Sequence, residues 1–403
     1  MGQRTRRLPF LLAPLLFAAV ACSEPDGPAD VGVTTTVDTV DGVVRVRNAG
    51  AAPEVSLRPV LAIGETGGVD AVSPEEFGRV RGVLADGDGR LFIGDGHARE
   101  IRVFGPDGAY LRTLGREGGG PGEVGGLHGL AWAAPDTMAV LDYGNGRVML
   151  LDTRGEQVGQ WPWGAITGSR RFLYDTGARE FYTFFFGAGE RNARVWVRYV
   201  NGEPVDTLEE PSLDGAAAGT VTCFGDGIGF YHNPLRERLL TTPGPGGATV
   251  TALSSTYRIA FTGEAGDTLR TVSRDVPRVP VTDADWAPVD SAYAEFRDAW
   301  AGTRCDGDIR RPEHRPAVLG IFFDHQGRLM VEWESEGGPA LDLYDDAYRL
   351  LGTIQLPDRD ESEPVRVRDG RLYLVVKDSL DVQQVRVFDL DGVAPSGNAA
   401  NAG

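Results

Sequence analysis

The strongest constraint on this chain is a short unit that recurs along it. The clearest copy runs from Val83 to Gly115, and further copies occupy 127–161, 317–354 and 365–392. Each copy contains a turn rich in Gly or Asp, an alternating apolar strand, a second turn and another strand. Short all-β units that recur at about 40-residue spacing are typical of a β-propeller, in which each unit forms one blade. The repeat therefore predicts an all-β propeller.

The spacing of the repeat predicts six blades. We place five of them at 78–116, 125–162, 170–209, 316–355 and 364–390. The fourth is irregular, with β-like alternation over Val221–Thr242 and Thr249–Val272, and seven blades are the alternative if 210–280 holds two units.

Two segments fall outside the regular units. From 282 to 301, apolar residues recur at three- and four-residue steps, which predicts a helical insertion between blades four and five. The segment Gly42–Arg47 needs a pairing partner. We expect it to complete the last blade, so that strands from the two ends of the chain close the ring and leave no long free edge.

The amino terminus predicts a route out of the cytoplasm. Arg4, Arg6 and Arg7 precede the apolar stretch 8–21, which is shorter than the roughly 20 residues of a spanning helix. This pattern is typical of a signal peptide over 1–21.

The residues that follow suggest an anchor. Ala19-Val20-Ala21-Cys22 resembles the bacterial lipobox, which implies that a lipid on Cys22 holds a soluble domain at the cell envelope, in the outer membrane or on the periplasmic face. An ordinary cleaved signal with an incidental cysteine is the alternative. Asp, Pro, Gly and Thr dominate 22–36, which predicts a flexible tether, with the propeller over 37–392 and a disordered tail over 393–403.

The net charge limits the classes of partner that we expect, and the cysteine content allows one disulfide. The formal charge is −18, and −21 once the three amino-terminal arginines are removed, so nucleic acid and anionic lipid are repelled. We expect a monomer whose partner is a protein or a small molecule and whose only membrane contact is the lipid anchor. Cys223 and Cys305 either pair in an oxidising compartment or remain as two buried thiols.

Three runs carry a resemblance to a known family. The runs 86–124 (DGDGRLFIGDGHAREIRVFGPDGAYLRTLGREGGGPGEV), 257–275 and 369–392 resemble the NHL-type six-bladed β-propeller lipoproteins of environmental bacteria. The resemblance extends over nearly all of the mature chain and implies the fold. It implies no single activity, because propellers serve as binding platforms, lyases and hydrolases alike.

In propellers of this type, the connections between blades and those in the middle of each blade share one face, which usually bears the site. The longest such connection is 115–124, which contains Arg116 and Glu123 and precedes His128. Its glycines either bring backbone N–H groups close to an anion or satisfy a tight crossing between blades. The other candidate residues fall in mid-blade connections: Asp95, His97, Arg99, Asp142, Tyr143, Asn145 and His232.

These residues leave several functions open. His97 or His128 with Asp95 or Glu123 would make an acid–base or metal constellation, whereas Asp95 and Asp142 would alternatively fix strand ends by accepting backbone N–H bonds. No catalytic residue and no cofactor is predicted. Calcium at Asp86–Asp88 is an alternative to a plain hairpin turn. We favour a binding module over a metal-dependent hydrolase or lyase and over a purely structural envelope lipoprotein.

Overall fold

The structure is a computed structural model. It describes residues 32–64, 73–162, 173–177, 180–188, 193–209, 211, 219–263, 266–378 and 380–392. The predicted signal peptide, the lipidation residue Cys22 and the predicted tail 393–403 lie outside the described residues.

The described chain is mostly β-strand. The first fifteen strands are β1 (Thr34–Val40), β2 (Val43–Ala49), β3 (Ser56–Ile63), β4 (Val80–Ala85), β5 (Leu91–Asp95), β6 (Glu100–Phe104), β7 (Tyr110–Leu114), β8 (Leu127–Ala134), β9 (Thr137–Asp142), β10 (Arg147–Asp152), β11 (Gln157–Pro162), β12 (Leu173–Gly177), β13 (Glu180–Ala188), β14 (Ala193–Val200) and β15 (Glu203–Glu209). The next six strands are β16 (Thr220–Phe224), β17 (Ile228–His232), β18 (Leu239–Pro243), β19 (Thr249–Leu253), β20 (Arg258–Thr262) and β21 (Thr268–Arg274). After helix α1 (Asp283–Ala299) come β22 (Arg304–Asp306), β23 (Val318–Phe323), β24 (Leu329–Ser335), β25 (Gly338–Tyr344), β26 (Leu350–Gln355), β27 (Arg366–Arg368), β28 (Arg371–Lys377) and β29 (Gln383–Asp391).

Six antiparallel units of four strands follow one another along the chain. They are sheet I (β4–β7), sheet II (β8–β11), sheet III (β12–β15), sheet IV (β18–β21), sheet V (β23–β26) and sheet VI (β27–β29 with β3). Each unit pairs strands that are neighbours in sequence, apart from β3. In sheets I and II the middle strands are buried on both faces, whereas the outermost strand is partly exposed. This succession of four-stranded sheets is the architecture of a β-propeller.

Successive sheets pack face to face. Apolar clusters lie between sheets I and II, II and III, IV and V, V and VI, and VI and I. Sheets III and IV are joined by polar contacts, since the Tyr182 hydroxyl donates to the carbonyl of Gly244 over 2.9 Å. The first strands of sheets I, II, V and VI also meet around a cavity of about 30 Å³, lined by residues such as Ala85, Trp132 and Phe323. That volume holds little more than a water molecule.

A recurring turn explains much of the sequence repeat. In Asp86–Arg90, one carboxylate oxygen of Asp86 accepts the N–H groups two and four residues on, and the other accepts Nε of Arg90 over 2.6 Å. The same bonds form in Asp324–Arg328 and Asp345–Arg349. Gly89, next to the arginine, has a φ of 77°, which glycine adopts without strain.

The strand from the amino-terminal side that joins the last sheet is not the expected one. Residues 43–47 lie in β2, which pairs in parallel with β21 of sheet IV and antiparallel with β1. The partner of β29 is instead β3, in a register that places Val385 opposite Ile63. Between them, Val55 donates to the carbonyl of Thr353 in sheet V over 2.9 Å. The segment 34–63 thus borders sheets IV, V and VI in turn.

Two boundaries also differ from expectation. The tether predicted over 22–36 ends earlier, because Thr34–Thr36 already pair with β2. The fourth blade begins later, because β16 and β17 leave sheet IV and join β22 in a separate three-stranded side sheet. The described part of 210–280 therefore contains one four-stranded unit and a hairpin of another sheet.

The helix lies where the sequence predicts one. Thr282 and Asp285 form a reciprocal capping box, in which the Asp285 carboxylate accepts the Thr282 N–H over 2.8 Å. In the described part of the chain, no helix is long and apolar enough to cross a membrane.

Candidate functional site

The connection 115–124 between sheets I and II is held by its own side chains. Arg116 donates from Nε and Nη2 to one carboxylate oxygen of Glu123, over 2.9 and 2.7 Å. The other oxygen accepts the Gly120 N–H over 2.8 Å. These bonds from Gly120 and Arg116 lower the pKa of Glu123. Glu117, in the same connection, pairs with Arg99 of sheet I.

Asp95 and Asp142 are buried at equivalent strand ends. Asp95 accepts the N–H groups of Gly78, Arg79, His97 and Ala98. Its oppositely charged partner is Arg102, whose Nη2 lies 3.4 Å from Oδ2 of Asp95. Both carboxylate oxygens thus accept backbone N–H groups, as the strand-end alternative expects.

Asp142 repeats this arrangement one sheet later. It accepts the N–H groups of Gly125 and Gly126, and Arg147 donates to it from Nε over 2.9 Å. Asn145 donates to Asp142 and to the carbonyl of Gly118, over 2.7 and 2.8 Å. Asp142 thereby fixes the connection 115–124 over the start of sheet II.

His128 lies beside this connection, against Tyr143. The two rings stack with centroids 4.7 Å apart and an interplanar angle of 20°. Burial lowers the pKa of His128, and the charges of Arg81 and Arg79 lower it further. The imidazole is therefore neutral at neutral pH, with two guanidinium groups in its surroundings.

His97 belongs to the neighbouring connection in sheet I. Its N–H is bound by Asp95, and its side chain lies against Gly78, where an added Cβ would come within 2.6 Å of the His97 Cβ. A larger residue than glycine would displace the ring.

Most of the predicted residues thus lie in one region at the edges of sheets I and II. The region is continuous. Arg99 contacts the connection 115–124, and Asn145 joins that connection to sheet II. The ring of Tyr143 stacks on the ring of His128. We define the basic rim as six side chains of this region: Arg79, His97, Arg81, Arg99, Arg116 and His128. Sequence reasoning missed Arg79 and Arg81, because no local pattern shows that their charges act on His128.

His232 does not belong to this region. It lies in β17 of the side sheet, where its Nδ1 is 3.1 Å from the Thr220 hydroxyl oxygen. The assignment of His232 to a mid-blade connection was wrong, because Val221–His232 form no part of sheet IV.

The side sheet also contains the two remaining cysteines. Cys223 in β16 and Cys305 in β22 lie opposite each other and form a disulfide, with their Cα atoms 4.0 Å apart. The bond ties residues that are 82 positions apart.

Within the described ranges, no group of three or more His, Cys, Asp or Glu side chains is placed to hold a metal ion. At Asp86–Asp88, the Asp86 oxygens bind two backbone N–H groups and Arg90, as in the other turns of this kind. These bonds are those of a hairpin turn, and calcium at this turn stays a prediction.

Comparison with known proteins yields distant structural likenesses. No family model and no curated protein matches the sequence. A member of the DUF4221 family from Bacteroides vulgatus is 10% identical with a TM-score of 0.45, over 84% of this chain and 99% of that one. Virginiamycin B lyase from Staphylococcus aureus is 9% identical with a TM-score of 0.40, over 83% and 99%. A candidate exported protein from Bacteroides fragilis is 13% identical with a TM-score of 0.40, over 83% and 94%. Likenesses this distant carry no argument about function.

Proposed function

We propose that the chain is an extracytoplasmic binding module, a closed six-bladed β-propeller anchored by a lipid on Cys22, whose basic rim binds an anionic group of its ligand. The observation that carries this proposal is that the charges of Arg79 and Arg81 act on a neutral His128, whose ring stacks on an exposed tyrosine ring, in a protein of net charge −18.

The contacts of the rim support a site for an anion. Two of the rim arginines are engaged by acidic side chains, Arg99 by Glu117 and Arg116 by Glu123. Arg79 is exposed, and its backbone rather than its side chain is bound by Asp95. A carboxylate or phosphate beside His128 would accept hydrogen bonds from guanidinium groups, the strong charge-assisted kind.

Binding fits the arrangement better than hydrolysis or elimination does. A hydrolase or lyase at this place needs a carboxylate with free oxygens beside His128, and Asp95 and Asp142 have theirs engaged by N–H donors. A purely structural envelope role would give the basic rim no ligand.

The closed ring of six blades and the lipid anchor are supported by separate observations. The packing of sheet VI on sheet I and the pairing of β3 with β29 support closure with six blades. The lipobox-like residues before Cys22 support the lipid. Replacing Cys22 by Ser would move the protein from the detergent phase to the aqueous phase on detergent partitioning, and unchanged partitioning would contradict the anchor.

Calorimetric titration of the mature protein tests the ligand class. Citrate and pyrophosphate serve as small anions, and polyglutamate serves as an acidic polypeptide. We expect saturable binding of at least one probe, weakened about tenfold by Arg79→Ala, since a hydrogen bond to a charged group contributes about 1.5–3 kcal/mol.

The matched control is Arg310→Ala, which removes an arginine that is 90% exposed and distant in sequence from the rim. Equal binding by both variants and the wild type would place the anion elsewhere. No binding of any of the three probes would favour the structural role.

A further inference from the structure

The side sheet has two unlike faces. On one face, Tyr231 packs on Tyr293 and Phe296 of α1, at centroid distances of 5.2 and 5.6 Å, and its hydroxyl donates to the Val289 carbonyl. Gly229 lies so close to α1 that an added Cβ would come within 2.4 Å of the Trp300 ring. This face is covered by the helix.

The opposite face is apolar and open. Phe224 and Ile228 are paired across the β16–β17 hairpin, and Phe230 follows two residues later on the same face. Their exposed fractions are 43%, 60% and 58%. Three large apolar side chains side by side on one small sheet form a contiguous patch of the kind that marks interaction sites.

The backbone beside this patch is also open. Gly225 donates to the carbonyl of Gly227, and Asn233 donates to that of Gly219. Because bonded positions alternate along an antiparallel ladder, Ile228, Phe230 and His232 direct their N–H and C=O groups away from β16. In the described part of the chain, β17 is the edge strand of the order β17-β16-β22, so these groups face the free side.

The surroundings of the patch are acidic. Residues 219–233 and 282–306, which contain the side sheet and α1, have seven acidic residues and two arginines. Arg311 and Arg315 lie outside these ranges and pair with Asp283 and Asp285, whereas Arg304 pairs with Asp306 inside them. Of the seven, Asp226 lies at the hairpin tip and Asp290 acts on Tyr231 of β17. The positive charges beside the edge are Arg236, which acts on His232, and Arg304, which lies over the Phe224 ring and is paired with Asp306.

We propose that β17 is a docking edge, to which an extended segment of a partner protein adds as a further strand, with alternating apolar residues over Phe230 and Ile228 and basic residues at its ends. Strand addition derives affinity from main-chain hydrogen bonds and specificity from alternate side chains, and β17 offers both at the same three residues. The acidic surroundings select a basic segment.

The same charges disfavour two other occupants. The side sheet and α1 together form an acidic side module (219–233 and 282–306). A second copy would bring two such modules together, and an anionic membrane would meet the same repulsion. Both occupants are outcomes of the test below.

The test is fluorescence anisotropy with the full mature protein and labelled synthetic peptides. The probe is Lys-Lys-Val-Thr-Ile-Thr-Val-Lys-Lys. One control has Glu in place of every Lys, and another has N-methyl groups on the central amides, which cannot pair. We expect saturable binding of the probe alone, weakened by added salt.

Two variants separate side-chain from backbone contributions. Phe230→Thr keeps a good strand former and removes the ring, and we expect about tenfold weaker binding, as for a buried aromatic anchor. Ile228→Pro removes an outward N–H that β16 does not use, which an edge strand tolerates, and we expect binding to be lost. The matched control is Val158→Thr in β11, whose side chain is 59% exposed on another edge strand, and we expect unchanged binding.

Several results would overturn the proposal. They are no saturable binding of the probe up to about 1 mM, a range that includes weak complexes, equal binding of the Glu-flanked or N-methylated peptide, and equal effects of Phe230→Thr and Val158→Thr. Self-association or binding to vesicles of phosphatidylglycerol that Phe230→Thr abolishes, without peptide binding, would assign the face to a second copy or to a membrane.

Discussion

The edges of sheets I and II and the side sheet are stabilised by different kinds of interaction. Around the basic rim, Asp95 and Asp142 are buried and bind N–H groups and arginines, so polar groups hold the connections from within. In the side sheet, a disulfide and a helix replace such a network, and three apolar side chains remain open. The comparison teaches that a connection inside the repeat is fixed by local carboxylates, whereas an insertion outside it needs a covalent tie.

The largest expected effect comes from removing the disulfide. Replacing Cys223 and Cys305 by Ser opens a loop of 82 positions that contains sheet IV and α1. Loop-closure entropy predicts a loss of roughly 4.5 kcal/mol in the free energy of unfolding, which urea titration would measure. Reductant should produce the same loss in the wild type and none in the variant. A loss below about 1 kcal/mol would show that the unfolded chain is already constrained there.

The second effect removes a buried carboxylate from the repeat. Asp142→Ala leaves Arg147 buried without its partner, so we expect a loss of about 3–5 kcal/mol in urea unfolding. The matched change in the side module is Asp226→Ala at the exposed hairpin tip, which should stay within about 0.5 kcal/mol. Similar losses for the two variants would contradict the contrast between the regions.

The regular units could be predicted because their turns are local. An Asp followed four residues later by Arg closes its own hairpin, so the placement of sheets I and V follows from short stretches. The helix is equally local, since Thr282 and Asp285 cap it within one turn.

The failures all involve pairing between distant residues. The strand that joins sheet VI contains Pro59, which reads against a strand yet is tolerated at an edge, where the register shifts opposite Phe388. The pairing of β16 with β22 spans sheet IV, so no local pattern reveals it. In the sequence alone, Arg79 and Arg81 look like ordinary solvated charges, because only the fold brings His128 close to them.

A third effect compares the two regions through pH. Hydrogen bonds from Thr282 and Arg315 lower the pKa of Asp285 in the side module to about 2. At the junction of sheets VI and I, burial raises the pKa of Asp360, but bonds from Ser362, Gln383 and Lys377 outweigh it and lower that pKa to about 2.

Both folded-state pKa values lie below the unfolded value, so the stability from these ionised carboxylates is present above about pH 4 and is lost as pH falls towards about 2. Urea unfolding across this range should show the decline, and Asp285→Asn should remove part of it. A variant that keeps the full decline would place the acid sensitivity outside the side module.

The smallest expected effect lies in the connection 115–124 itself. The Arg116 side chain is 80% exposed, and its Glu123 partner keeps its bond from Gly120, so Arg116→Ala should change the free energy of unfolding by less than about 0.5 kcal/mol. The matched substitution at a buried residue is Arg147→Ala, because Arg147 donates hydrogen bonds to the carbonyls of Gly120 and Glu123 in the same connection. A large loss for Arg116→Ala would mean that an exposed ion pair shapes the connection, and a rim whose shape depends on a solvated pair would not be preorganised for an anion.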